Sequence, residues 1–432
     1  MNTRLKYLIT ASTLAAGLAV PQVASAGGFY LQEQSVRGAG RAFSGETADT
    51  GAASLWWNPA AIGGIDQIEG HFAVSVILPS ADIENNNTLI VRPQQQPAPV
   101  GGDQLSSDPI ETGVLPAGAV AMPINDRLSV GLAVSSPYSF TTDYDATSWV
   151  RYTALKSHLR TYDIQPSVAY MVTPELSVGA ALNIEYSDAE LTNALPNLSA
   201  ALPDGEQALK GDGWDLGWSA GVQYRSGPLM LGAAYKSSVK HRLSGTLTQS
   251  GLLGPLEASN GVIETDATFR TPWQASVGAR YAVSDQLTLN AQVVRIGWGE
   301  FDAIRLGEPV NAAIPEDYRN TWSFAGGVDY AVSPAWTVRA GVQHDQTPTQ
   351  SGDRDARVPD GNRWNFAVGT SYDVTPGFTV DAAFNYLAID DATIDRTTAA
   401  YAGTPVQTPI IVDGTASNAN ALIFSLGGRF AF

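Results

Sequence analysis

The chain has no cysteine and only four histidines. Disulfides and thiol chemistry are therefore excluded, and the donor set argues against a zinc site. Basic residues are few, 25 against 42 acidic, for a formal charge of -17. So acidic a balance argues against nucleic acid as a partner. Beyond the N-terminus no apolar run reaches the roughly eighteen residues that a helical membrane span needs. No serine-histidine pair stands in a nucleophile motif, and no glycine loop is built to hold phosphate. No histidines have metal spacing. An enzyme is not expected, nor a cofactor or metal.

What is present begins with a leader. Arg4 and Lys6 precede an apolar run from Leu8 to Val20, and Ala24-Ser25-Ala26 makes a small-x-small cleavage site. Residues 1–26 read as a secretory signal peptide, with the mature chain starting at Gly27. Arg4 and Lys6 leave with it, so the mature chain is more acidic still. The full sequence is also rich in glycine and tryptophan, 42 and 10 residues, and no linker divides the mature chain.

From Glu69 onward the dominant signal has period two, which sends alternate side chains to opposite faces of a strand. Tyr162, Ile164, Pro166, Val168, Tyr170 and Val172 alternate with Asp163, Gln165, Ser167, Ala169, Met171 and Thr173. A soluble sandwich alternates too, but two features favour a membrane barrel. Aromatics recur eight residues apart, as in Trp273/Tyr281, Trp322/Tyr330 and Trp364/Tyr372. Eight residues on a strand tilted by roughly 40° cover about 20 Å, close to the lipid band between two aromatic girdles. Connections also alternate between short turns, such as Thr173-Pro174 and Gly227-Pro228, and long loops. Six short and seven long connections imply fourteen strands. The expected fold is all-β: a fourteen-stranded antiparallel transmembrane β-barrel over 69–432, its last strand ending in Phe430 and Phe432. The face opposite the girdles is expected to line the lumen with Lys236, Lys240, Arg225, Arg280, Arg339, Arg363 and Arg429. Asp163, Glu185, Asp215, Asp329, Asp373 and Asp381 are expected there too.

Two long loops, 189–213 and 241–270, are leucine-rich. Leu195, Leu198, Leu202, Leu252, Leu253 and Leu256 either form an exposed apolar groove that binds something or pack the loops on one another. The run 148–160 brings Arg151, Lys156, His158 and Arg160 together with aromatics at a strand mouth. It reads as a seat for a carboxylate head group or as a solvated loop edge. Residues 27–68 lack period two and are rich in Gly, Ala and Ser. They carry the knot Leu55-Trp56-Trp57-Asn58-Pro59-Ala60-Ala61-Ile62. So wide a barrel leaks if empty, and this segment is the long periplasmic element available to plug it.

Gly28-Phe29-Tyr30-Leu31, Arg37-Gly38-Ala39-Gly40-Arg41-Ala42, Ser44-Gly45 and Asn58-Pro59-Ala60 occur in order. They are followed by Thr161-Tyr162-Asp163-Ile164-Gln165-Pro166-Ser167, Thr271-Pro272, Pro359-Asp360-Gly361-Asn362-Arg363 and Gly428-Arg429-Phe430. Together they resemble the FadL-type family (OmpP1/FadL/TodX-like), outer-membrane transporters of long-chain fatty acids with aromatic-hydrocarbon channels among their relatives. The resemblance covers essentially the mature chain. It implies a monomer in the outer membrane of a Gram-negative bacterium, plugged by an N-terminal hatch. It implies substrate capture between the loops after strands five and seven, then transfer to a lumenal pocket with cations at the head group. Arg151, Lys156, His158, Arg160 and Lys236 are the candidates for those cations. Hatch movement and a kink in strand three would open a lateral exit, with Phe29, Trp57, Asn58, Pro59, Ala60, Gly131 and Pro137 at the gate. The expected partners are hydrophobic small molecules, long-chain fatty acids or hydrocarbons, and outer-membrane lipid. Three other readings stay open: uncharged hydrocarbons as the substrate, an adhesion or receptor barrel acting through loops 80–112 and 391–417, and, more weakly, an aqueous porin.

Overall fold

The computed structural model describes residues 28–432; the expected leader and Gly27 lie outside them. The chain closes into a fourteen-stranded antiparallel barrel. The ascending and descending strands are, in order, Glu69–Asn85, Gly113–Pro123, Leu128–Ser135, Lys156–Met171, Leu176–Leu195, Gly205–Ser226 and Leu229–Lys236. They continue with Trp273–Ala282, Leu287–Gly297, Thr321–Ser333, Trp336–Asp345, Arg363–Thr375, Phe378–Ile389 and Gly414–Ala431. Closure is made between the first and last strands, from Glu69 opposite Ala431 to Asn85 opposite Gly414. A closed sheet leaves no unpaired edge in lipid.

The alternation sorts the faces as expected. Trp322, Tyr330, Trp364, Tyr372, Phe424 and Leu426 are exposed on the outside, while Asp163, Gln165, Gln223, Asp329 and Asp381 are buried within. So large an apolar belt suits a lipid solvent and not water.

Three strands are broken near the outer girdle. The third stops at Ser135 and resumes as Ser139–Asp143. The seventh resumes as Lys240–Ser250, and the eighth is preceded by Gly261–Arg270. The seventh-strand break shifts the side-chain period. Lys236 is lumenal below it, whereas above it His241 and Leu243 are buried and Lys240 and Arg242 are exposed. Lys240 is therefore outside, contrary to the sequence expectation. Asp373 is also exposed, bonded to Thr379 Oγ1 at 2.6 Å beside a periplasmic turn. The strands run well past the girdles, so the expected long loops 189–213 and 241–270 shrink to 196–204 and 251–260.

The segment before the first strand folds inside the lumen. It carries a short helix Val36–Ala39 capped by Ser35, and a 3-10 turn Pro59–Ile62 capped by Asn58, whose side chain accepts from Ala60 N. Proline is favoured at such a first turn. Leu55, Trp56, Trp57 and Ile62 are all buried. Irregular backbone confined in a lumen still needs hydrogen-bond partners, and the wall supplies them. Gln165 donates to Leu55 O at 3.0 Å, Gln223 to Asp49 O at 2.7 Å, Asn385 to Ala39 O at 3.0 Å and Ser177 to Ala60 O at 3.0 Å. The polar lumen is, in large part, the plug's solvent.

Candidate functional site: an apolar chamber over the plug

Above the plug lies a chamber of about 700 Å³ including its open mouth. Strands give it Leu159, Leu191, Leu209 and Leu243; Phe269 comes from the segment above the eighth strand. The loop between strands nine and ten gives Phe301, Ile304 and Tyr318; the loop after strand eleven gives Val358. Phe29 of the plug enters the same wall, with its ring 5.1 Å from Phe301 and 4.8 Å from Trp298. Such an interior suits an alkyl or aryl group, which gains about 25 cal/mol for each Å² removed from water.

One wall is polar. Glu316, Asp355 and Arg357 border the chamber. Arg357 pairs with Asp355 at 3.4 Å, and Arg396 with Asp355 at 3.3 Å and Glu316 at 3.6 Å. Burial pushes the Glu316 carboxyl up to about 8, against the pull of Arg396. At neutral pH Arg357 of the lining and Arg396, which is not part of it, thus face the Asp355 carboxylate, with exposed Asp317 nearby, which leaves the largely buried groups with a positive surplus.

A smaller pocket lies among Trp56, Pro137, Asp163, Asn183, Glu185 and Lys236. Lys236 Nζ stands 3.7 Å above the centre of the Trp56 ring. The plug's first residues separate the two spaces. Phe29 lines the upper one and Tyr30 a neighbouring cleft with Trp56 and Lys236. Here the plug enters the break in the third strand. Leu31 N donates to Pro137 O at 2.8 Å and Ser139 N to Phe29 O at 3.0 Å, which sets Tyr30 opposite Tyr138. Gly28 N donates to Asp360 at 2.9 Å. Pro137 thus stands at the break. Gly131 does not: it pairs regularly with Ala121 and Ser167. A β-carbon there would lie 2.7 Å from Leu55 and 3.0 Å from Ile62, so this glycine makes room for the plug.

The expected head-group cations are not gathered around one site. Lys156, His158 and Arg160 share the outward parity of Tyr162, while Leu159 faces in. Lys156 pairs with Glu190 at 3.5 Å and His158 with Asp188 at 3.0 Å; His158 still borders the chamber. Arg151 ties loops together, bonding Asp204 at 3.1 Å and Val100 O at 2.7 Å. Lys236 belongs to the lower pocket. The leucines divide as well: Leu195, Leu252 and Leu256 are buried against one another with Leu198 packed on them, while Leu202 and Leu253 stay exposed. Asn58 and its neighbours are buried, and Asn58 donates to Thr47 O at 2.8 Å and Val222 O at 3.2 Å. Trp57 packs edge-on to Trp56 at 4.6 Å. Sequence reasoning missed Arg357, Asp355, Glu316 and Arg396. The alternating charges of Asp353-Arg354-Asp355-Ala356-Arg357, directly before the Pro359-Asp360-Gly361 turn, were the available signal.

A closed barrel with aromatic girdles, a plug bound to its inner wall and an apolar chamber above that plug is the build of a membrane channel for hydrophobic compounds. The family described as outer membrane protein transport protein (OMPP1/FadL/TodX) matches residues 17–432. The chain belongs to that family, and is an outer-membrane transporter of hydrophobic compounds. It is 25% identical over 398 residues to a long-chain fatty acid transport protein of Escherichia coli O6:H1, covering 83% of this chain and 86% of that one. A Pseudomonas aeruginosa FadL homologue of known structure superposes with a TM-score of 0.81 at 25% identity, over 94% of this chain and 100% of that one. The Pseudomonas putida toluene transporter TodX gives a TM-score of 0.64 at 16% identity, over 94% and 100%, a likeness of fold.

Proposed function

We propose that the chain admits long-chain fatty acids passively across the outer membrane. The observation that carries this reading is the surplus positive charge of Arg357, on the wall of a largely apolar chamber, and of Arg396, which pairs with the same Asp355. A buried carboxylate needs such a partner, whereas a hydrocarbon needs only apolar walls. Exposed Leu202 and Leu253 make first contact with the acyl chain; the chamber takes its tail and Arg357 its head. Displacing Phe29-Tyr30-Leu31 from the break at 136–138 joins the chamber to the lower pocket, where Lys236 waits, and frees a lateral path into the outer leaflet. The name of the Escherichia coli relative, a long-chain fatty acid transport protein, supports this substrate. One observation favours the second reading, uncharged hydrocarbons: Asp355 already neutralises Arg357 in part.

The test is binding of radiolabelled oleate and toluene to the purified barrel and to an Arg357→Gln/Arg396→Gln variant. The fatty-acid reading expects saturable oleate binding that falls at least about tenfold in the variant, the scale of a lost charge-assisted pair, with toluene unaffected. Toluene binding without oleate binding would move the assignment to hydrocarbons. An Arg151→Gln/Lys156→Gln variant should leave oleate binding unchanged.

A further inference from the structure

The period shift at the seventh-strand break places three cations on the outer wall. Lys240 stands directly opposite Arg270 in the ladder, and Arg242 follows two residues higher on the same face. All three are exposed. Like charges facing each other across strands are destabilising, and the ladder relieves them little. Among the described residues Lys240 and Arg242 have no ion pair, and Arg270 has only a long, exposed one with Glu300 at 3.8 Å. Asp215 takes the Arg242 backbone N–H at 2.9 Å from strand six. Asp212 and Asp266 lie further up strands six and eight, where Ser244 holds Asp266.

Directly below the cations is a row of rings. Trp218 lies 5.3 Å from Tyr235, and Tyr235 6.1 Å from Trp273, across strands six, seven and eight. Trp214 and Leu216 complete a strongly exposed apolar face beside them. Arg270 precedes Trp273 by three residues, roughly 10 Å along the strand. The charges therefore stand just above the hydrocarbon edge marked by the rings, at headgroup depth. In a chain this acidic, a basic cluster at that depth over an apolar wall, with Lys240 and Arg242 in no ion pair among the described residues, fits an anionic amphiphile and not another acidic protein.

We infer that Lys240, Arg242 and Arg270 form a site for the phosphate of a phosphorylated outer-leaflet glycolipid, whose acyl chains lie on Trp218, Tyr235 and Trp273 below them. The phosphate neutralises the cross-strand repulsion and accepts from ammonium and guanidinium groups together. The site is separate from the chamber and does not depend on which substrate is carried.

The experiment titrates the full mature barrel with bisphosphorylated lipid A, and separately with dephosphorylated lipid A, reading bound lipid by native mass spectrometry. Wild type should bind the phosphorylated form. A Lys240→Gln/Arg242→Gln/Arg270→Gln variant should lose about tenfold or more in affinity, since each basic side chain at a lipid surface contributes on the order of 1 kcal/mol. The dephosphorylated lipid should bind wild type as weakly as it binds the variant. Lys156→Gln/Lys210→Gln, which removes cations already paired with Glu190, should bind like wild type. Equal affinity for the two lipids, or an unaltered triple variant, overturns the proposal. Should the triple variant not fold, raising the salt on wild type decides. Binding of the phosphorylated lipid must then weaken toward that of the dephosphorylated one, and salt-independent binding also overturns the proposal.

Discussion

Replacing Arg41 with Met should release the plug without unfolding the barrel. Arg41 is fully buried. It pairs with Glu46 of the plug, with Asp49 of the plug at 2.5 Å and with Asp329 of the tenth strand at 3.1 Å. Arg280 from the eighth strand bonds the same two aspartates, at 2.7 Å to Asp49 and 2.9 Å to Asp329. Arg339 holds Asp329 at 2.8 Å and Arg37 holds Asp49 at 3.0 Å. The network thus sets four guanidinium groups against three carboxylates, and it joins the plug to strands eight, ten and eleven. Without Arg41 the two aspartates keep partners, but Glu46 is left with only a long contact from Ser54 at 3.4 Å. Breaking a buried pair from one side costs about 3–5 kcal/mol because the remaining charge is stranded. That is a factor of roughly 10² to 10³ or more in the undocked population. Arg41→Met should therefore open a conductance in planar bilayers and admit a large hydrophilic antibiotic to whole cells, while the heat-modifiable gel shift of the folded barrel persists. Adding Glu46→Gln removes the stranded charge and should restore most of the seal. A variant as tight as wild type, or a leak that Glu46→Gln leaves untouched, would refute the assignment of the seal to this network.

Asn58→Ala removes a cap and two donated bonds, so plug docking should weaken by about 2–4 kcal/mol, read as increased protease access to the plug in the refolded barrel. Gly221→Ala should act alike, because a β-carbon there would strike the Asn58 side chain; if neither changes protease access, the knot is not what holds the plug. Tyr30 and Tyr138 face each other as a non-hydrogen-bonded antiparallel pair, about 4.5 Å between α-carbons and within disulfide reach. As the chain has no cysteine, Tyr30→Cys/Tyr138→Cys should cross-link cleanly under oxidation, stop oleate uptake and recover with reductant; uptake through the locked pair would show that this pairing does not gate. Glu316 has its folded pKa raised, so it is neutral below about 8 and ionised above. It faces Arg396, Asp355, Arg357 and Asp317. Its ionisation cancels the surplus positive charge, so oleate affinity should fall as pH rises through about 8, and Glu316→Gln should flatten that profile; the same fall in both proteins would sink the link. The stability sign agrees: a carboxyl raised on folding makes the folded state progressively less stable from the unfolded value near 4.5 up to about 8.

How much of this was legible in the sequence follows from what makes a pattern. A strand in lipid must alternate, so the girdles, the strand count and the inward parity of Asp163 and Asp329 could be read directly. The same rule, applied one turn higher, already placed Lys156, His158 and Arg160 outside with Tyr162. Clustering along the chain suggested a single head-group seat, whereas parity turns Lys156 and Arg160 out and leaves His158 at the border of the chamber. The plug was legible as a segment without period, but its docking was not, because Gln165, Gln223 and Asn385 are ordinary lumenal residues until a backbone carbonyl faces them. Phe301, Tyr318, Val358 and Arg357 reach the chamber from loops, where no period exists to mark them.

The strand breaks were least legible, and they have the widest consequences. A bulged residue shifts every side chain above it to the other face. At the seventh strand that shift brings His241 and Leu243 inward, giving the chamber one of its apolar walls, and turns Lys240 and Arg242 out above Trp218 and Tyr235. At the third strand the break turns Pro137 O and Ser139 N toward the plug, whose Leu31 N and Phe29 O bond them. The plug is thus a substitute piece of the wall at the point where the wall is incomplete. On the proposed route, a fatty acid that moves the Phe29-Leu31 backbone also breaks the two hydrogen bonds that complete the wall, and this would couple filling of the chamber to opening of its side.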